Sequence, residues 1–161
     1  MMFSFPTQVV SFRNVVTTAK QTLYICVASR AKSIYHNDDD IRKMVDPKRV
    51  LSYENMLEVI HEPKKVIIDV REPEEVASTG MIPSSINIPL TSVPETLKSM
   101  SQEDFRRQFN RDKPTCDDEL IFYCKSGRRS SEALDKALQM GYRNSKTYSG
   151  SWLEWSSKNG K

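Results

Sequence analysis

Histidine is almost missing from this chain of 161 residues. Only His36 and His61 occur, so no imidazole stands anywhere after position 61. Serine triads, Cys–His proteases and ordinary zinc sites all need one, and they become poor readings of the later chemistry. Cysteine is scarce too: three widely spaced residues, an odd number, do not make a disulfide framework. No apolar run approaches the ~20 residues of a membrane-spanning helix, so no span is expected. Acidic residues are absent from residues 1–37, which hold four cations (Arg13, Lys20, Arg30, Lys32) and eight Ser or Thr. The remaining 124 residues carry 20 basic and 21 acidic groups, a near-neutral body with no basic stripe. That balance speaks against nucleic acid as the main partner.

What is present divides the chain in three. The acid-free segment 1–37 has the make-up of a mitochondrial presequence, with a disordered extension, and so a cytoplasmic protein, as the alternative. A secretory signal fits less well, because the apolar stretch from Thr22 to Ala28 is short. Residues 38–48 read as a linker, and 49–159 as one domain.

Within that domain, short apolar strands alternate with amphipathic helices. Ser52 caps a helix expected to carry Met56, Leu57 and Ile60 on one side, with Pro63 stopping it. Val66-Ile67-Ile68-Asp69-Val70 is a β-branched run of the kind buried on both faces of a parallel sheet. Pro73 suits the first turn of a helix, flanked by Glu72, Glu74 and Glu75. Ser85 to Ile88 alternates as a short strand, and Ser101 with Asp104 opens a helix carrying Phe105 and Phe109. Asn110 to Glu119 reads as a surface loop. Leu120-Ile121-Phe122-Tyr123 is the second buried strand; a helix expected from Ser131 closes at Gly141, and Thr147-Tyr148 and Trp152 to Trp155 end the alternation. The expected class is α/β with a mostly parallel sheet covered on both faces.

The segment that carries chemistry is Cys124-Lys125-Ser126-Gly127-Arg128-Arg129-Ser130, between that second strand and the following helix. Such folds expose reactive groups at strand carboxyl ends. A helix N-terminus there offers unpaired N–H groups and partial positive charge, and Gly127 lets the loop turn tightly. Lys125, Arg128 and Arg129 add full charges. All of these favour thiolate over thiol at Cys124 with no base to remove the proton. The plainer reading, a small buried hydrophobe at a strand end, is outweighed by three cations within five residues. Asp69 and Arg71, at the end of the other buried strand, are expected to brace the loop as an ion pair. Trp155 reads as core or pocket wall. Cys116 reads as an incidental surface thiol, with a resolving thiol as its alternative.

Taken with Asp69-Val70-Arg71-Glu72, the segment Gly80 to Pro89, and Gly150-Ser151-Trp152-Leu153-Glu154-Trp155, this loop resembles a single-domain rhodanese, nearest the small thiosulfate:glutathione sulfurtransferase group. The resemblance implies a three-layer α/β/α sandwich and a Cys124 persulfide. It implies a substrate loop of Lys125, Ser126, Gly127, Arg128 and Arg129, supported by Asp69, Arg71 and Trp155, with no cofactor. Thiosulfate is the implied donor, and glutathione, cyanide or a partner protein the acceptor. Met81 stands where the family usually has histidine, and Ser84-Ser85 where it usually has Gly-Ala. A persulfide relay module is the alternative from another class.

Loop length separates sulfur from phosphate chemistry. A cysteine phosphatase, or an arsenate reductase built like one, needs five residues between Cys and Arg; here that position is Ser130, and Arg129 arrives one residue early. Arg128 and Arg129 stand side by side, so the sequence leaves open which one faces the sulfur. The wild type is therefore expected to hydrolyse no phosphate ester. One glycine inserted between Gly127 and Arg128, giving phosphatase length, should abolish thiosulfate turnover. An insertion variant that transferred sulfur normally, or a wild type active on a chromogenic phosphate ester, would sink the loop-length argument.

Overall fold

The computed structural model describes residues 45–160. The presequence expected at 1–37 and most of the 38–48 linker lie outside the described residues. Five strands form one all-parallel sheet: β1 (Val50–Leu51), β2 (Val66–Asp69), β3 (Ser85–Asn87), β4 (Leu120–Tyr123) and β5 (Lys146–Tyr148). Their spatial order is β1-β5-β4-β2-β3, which puts the two most apolar strands side by side in the middle. Both β2 and β4 are buried along their whole length, as a sheet covered on two sides requires.

Strand alternation sorts the core into two halves. Val66, Ile68 and Val70 of the β2 run, with Leu120, Phe122 and Cys124, face one side. There they pack on α3 (Val93–Lys98), α4 (Gln102–Phe109) and α5 (Arg128–Gln139) through Leu97, Phe105 and Leu134. Ile67, Ile121 and Tyr123 face the other side, against Met56 and Val59 of α1 (Tyr53–Val59) and the Trp152 and Trp155 rings of α6 (Ser151–Lys158). The three-layer α/β/α sandwich is thus present. A single-residue step along β4 moves a side chain between layers, so Cys124 emerges on the α5 side while Tyr123 points to the other.

The helix signals hold in detail at several ends. Ser52 and Asn55 form a reciprocal capping box on α1. Pro73 opens α2 (Pro73–Thr79), Ser101 caps α4, and Phe105 and Phe109 stack with centroids 4.6 Å apart. Gly141 takes the left-handed conformation just past α5, at φ 98°. Four expectations need correction. Leu57 is 40% exposed, and Val59 takes the buried place on α1. The turn that ends α1 comes before Pro63 rather than at it. Neither β1 nor α3 was expected: the two residues of β1 are too few for a pattern, and the six of α3 span less than two helical turns. Helix α5 starts at Arg128, three residues before Ser131, because Gly127 at φ 101° serves as its N-cap.

Asp69 and Arg71 sit at the carboxyl end of β2 with side chains 0% and 1% exposed. Both carboxylate oxygens accept from the Arg71 guanidinium; Nη1 donates to Thr79 Oγ1 at 2.9 Å, and Nη2, which also bonds Asp69, donates to Gly80 O at 2.7 Å. The guanidinium lies 4.8 Å from the Trp152 ring centre and 5.8 Å from that of Tyr123. Arg71 therefore ties the end of α2 to α6 across the strand; where a brace on the Cys124 loop was expected, its side chain bonds Asp69, Thr79 and Gly80 instead. Removing one partner strands the other's charge in the interior, so Asp69→Ala should cost about 3–5 kcal/mol. Urea unfolding checks this: a midpoint within error of wild type would show that the pair is dispensable.

Candidate functional site

Cys124 is the first residue after β4 and is 1% exposed. Its sulfur accepts a hydrogen bond from the Gly127 N–H at 3.1 Å. The backbone turns back so sharply only because Gly127 adopts φ 101°, which a side chain would oppose. Gly127 is then clamped from behind. Its carbonyl accepts from the Ser131 N–H at 3.1 Å and from the Ser130 and Ser131 hydroxyls, each at 2.9 Å. Thr147 of β5 donates to the Ser130 hydroxyl at 2.9 Å, fixing the turn to the sheet. Ser130 is therefore spent on holding the turn. At the position where a phosphatase loop needs arginine, this side chain is buried and points into the helix base.

A second element holds the loop from the other side. The first N–H groups of α6 have no partner within their own helix. Two of them donate outward, Trp152 N–H to Cys124 O at 2.9 Å and Leu153 N–H to Lys125 O at 3.1 Å. Ser151 has the left-handed φ of 54° and is fully buried. Its hydroxyl donates to Tyr148 O at 2.8 Å, accepts from the Cys124 N–H at 3.2 Å, and lies 3.9 Å from the sulfur. Sequence reasoning noticed the Gly150-Ser151-Trp152 segment for its tryptophan and missed the serine.

The cations divide by geometry. Arg129 is tied to Glu75 of α2 by a two-pronged salt bridge at 2.5 and 2.8 Å. The Glu75 hydrogen bond, ahead of any other cause, holds the Arg129 guanidinium above its ordinary value. Arg129 thus has Glu75 as its direct partner, from the first turn of α5. Lys125 and Arg128 are exposed at the rim, with Ser126 half-buried between them. Trp155 is buried against Tyr53 with ring centres 5.6 Å apart, a core residue of the far layer and not a pocket wall. Tyr123, which replaces the histidine of the phosphatase signature, has its hydroxyl on the Ile82 N–H and Ser85 in that same far layer. Cys116 is exposed and lies beside Gly141, past the far end of α5. The twelve residues of α5 span ~18 Å, too far for a thiol to resolve a Cys124 intermediate.

The arrangement offers a sulfur atom at a helix start, one N–H aimed at it, and two arginines in the first turn of that helix. It suits negative charge developing on sulfur. Residues 52–158 match the model of the Rhodanese-like domain family. A Schizosaccharomyces pombe protein named as a candidate mitochondrial thiosulfate sulfurtransferase is 45% identical over 93 residues, covering 58% of this chain and 64% of that protein. The Saccharomyces cerevisiae thiosulfate:glutathione sulfurtransferase is 41% identical over 111 residues, covering 68% of this chain and 78% of the relative. Among solved structures, a human single-domain sulfurtransferase superimposes with a TM-score of 0.63 at 31% identity, over 68% of this chain and 96% of the other.

The Glu75–Arg129 pair has a pH signature. Hydrogen bonding to Arg129, ahead of any other cause, holds the Glu75 carboxyl at about 2, below its ordinary 4.5. A folded-state value below the unfolded one adds stability that is complete above 4.5 and is lost as pH falls through about 2. The stability gap between wild type and Glu75→Gln should therefore be constant down to roughly pH 5 and close as pH 2 is approached. Urea titrations across that range check it; a gap undiminished near pH 2 would contradict the pairing.

Proposed function

Because the chain belongs to the rhodanese-like domain family, we propose that it is a thiosulfate sulfurtransferase working through a persulfide on Cys124. The observation that carries the residue assignment is the Gly127 N–H aimed at the Cys124 sulfur from the start of α5. The thiolate attacks the outer sulfur of thiosulfate. A Cys124–sulfur bond forms, the donor's own sulfur–sulfur bond breaks, and sulfite leaves with the electron pair. Lys125 and Arg128 at the rim favour approach of the dianion and departure of sulfite. The deep setting of Cys124, 1% exposed, favours a donor whose reacting atom is terminal.

In the second step the thiolate of an acceptor such as glutathione attacks the outer sulfur of the persulfide. The new bond forms on that sulfur and Cys124 departs as thiolate, ready for another cycle; cyanide serves in the same way. The Gly127 N–H and the positive start of α5 stabilise both the attacking and the departing thiolate. The names of the yeast and fission-yeast relatives support thiosulfate as donor and glutathione as acceptor. The acid-free leader at 1–37 and the fission-yeast name support a mitochondrial address, with cleavage near residues 30–45.

Replacing the sulfur tests the assignment. Cys124→Ser should lower thiosulfate:glutathione turnover by at least about 10³-fold, since a hydroxyl is a far weaker nucleophile at neutral pH. Cys116→Ser should keep most of the wild-type rate. Appreciable turnover by the Cys124 variant would remove the covalent route, and an equal loss from the Cys116 variant would bring the second thiol back into it.

A further inference from the structure

Ser151 is a fully buried residue in a backbone conformation that its own side chain opposes. Its φ of 54° belongs to the left-handed region that glycine enters freely. Conformations of this kind cluster at functional sites, where the surroundings hold them in place. What serine has and glycine lacks is one hydroxyl, and here it stands where three groups meet. It donates to Tyr148 O at 2.8 Å and accepts from the Cys124 N–H at 3.2 Å. It also lies 3.9 Å from the Cys124 sulfur, where either atom can be the donor.

A hydroxyl has one proton to give and two lone pairs to accept with. With Cys124 as a thiol every capacity is used: the S–H and the Cys124 N–H donate to Oγ, and the hydroxyl proton goes to Tyr148 O. With Cys124 as a thiolate the same arrangement fails, because an oxygen lone pair would face an anionic sulfur. Rotation about the Cβ–Oγ bond mends it by turning the O–H onto the sulfur. The O–H bond stays intact, and the thiol proton has gone to solvent. We infer that Ser151 is a catalytic hydrogen-bond donor to the Cys124 thiolate, its hydroxyl swinging from Tyr148 O to the sulfur as negative charge appears there.

This donor comes from α6, while the Gly127 N–H reaches the sulfur from α5. The inference rests on the sulfurtransferase reading and deepens it. Charge returns to this sulfur each time an acceptor thiolate removes the outer one, and the hydroxyl meets it at that moment. Charged groups reach this edge of the sheet from every packed element. Lys125, Arg128 and Arg129 belong to the loop and α5, Glu72 and Glu75 flank the start of α2, the Asp69–Arg71 pair ends β2, and Glu154 of α6 bonds Tyr148 of β5. All are kept when Ser151 alone is replaced, so that substitution isolates the hydroxyl.

The sign of one shift separates the swinging donor from a passive clamp. In full-length protein carrying Cys26→Ser and Cys116→Ser, iodoacetamide alkylation of Cys124 is followed by intact mass across pH. Glycine accepts the φ of 54° without strain, so Ser151→Gly keeps the turn while removing the hydroxyl. The half-maximal pH should move up by roughly half a unit, because the ionised sulfur has lost a donor. A downward move would show that the hydroxyl only accepts from the thiol and stays on Tyr148 O. An unmoved midpoint would reduce it to a clamp between β4 and β5, and either result overturns the inference. Were Ser151→Gly to misfold by circular dichroism, Ser151→Ala carries the same test with the same expected sign. Alkylation needs no thiosulfate, so an upward shift in a protein that transfers no sulfur would overturn the sulfurtransferase reading and leave this inference standing. Sulfur transfer by the parent protein with no shift in the variant would do the reverse.

Discussion

The conformation of Gly127 is the constraint on which the site turns. A backbone φ of 101° brings an N–H back onto the sulfur three residues earlier and, at the same residue, starts α5. With a side chain at that position the turn would be strained, and the donor and the helix N-terminus would leave the sulfur together. The surroundings are arranged to hold this one residue. Three donors converge on its carbonyl, and Thr147 links one of them to the neighbouring strand. The first turn of α6 holds the carbonyls of Cys124 and Lys125. A glycine chosen for its freedom is thus made rigid by everything around it.

The parallel sheet makes this convergence possible. All five strands end at the same edge, so β4 delivers Cys124, β5 leads to Ser151 through Ser149 and Gly150, and β2 ends at the buried Asp69–Arg71 pair. The reactive loop is fixed by hydrogen bonds, while Arg71 secures α2, the helix that carries Glu75. Through Glu75 and Arg129, α2 then reaches α5. Supports of the segment from Cys124 into α5 therefore arrive by separate routes: β5 and α6 on one side, β2 and α2 on the other.

What could be read from the sequence was local. Contiguous β-branched and aromatic runs marked β2 and β4, Pro73 and Ser101 marked helix starts, and the cysteine between a buried strand and a Gly-Arg-Arg segment marked the site. The two-residue β1 carries too little pattern to announce itself, and its pairing with β5 joins residues nearly a hundred positions apart. Glu75 looked like one more acid in a helix's first turn; its bond to Arg129, 54 residues on, is a product of the fold. The start of α5 was misplaced for a related reason. Two arginines and a serine read as loop until the φ of Gly127 shows the helix already under way. Ser151 was hidden by the same kind of backbone fact, a left-handed residue that no side-chain pattern reveals.

The central claim is that one cysteine carries the transferred sulfur as a covalent intermediate. Intact mass spectrometry of the protein after brief treatment with thiosulfate tests it most directly. The account predicts a gain of one sulfur atom on the peptide containing Cys124, removed by glutathione or dithiothreitol with regeneration of the starting mass. Thiosulfate turnover with no sulfur-loaded species at Cys124, or a stable sulfur adduct found on Cys116 instead, would contradict it.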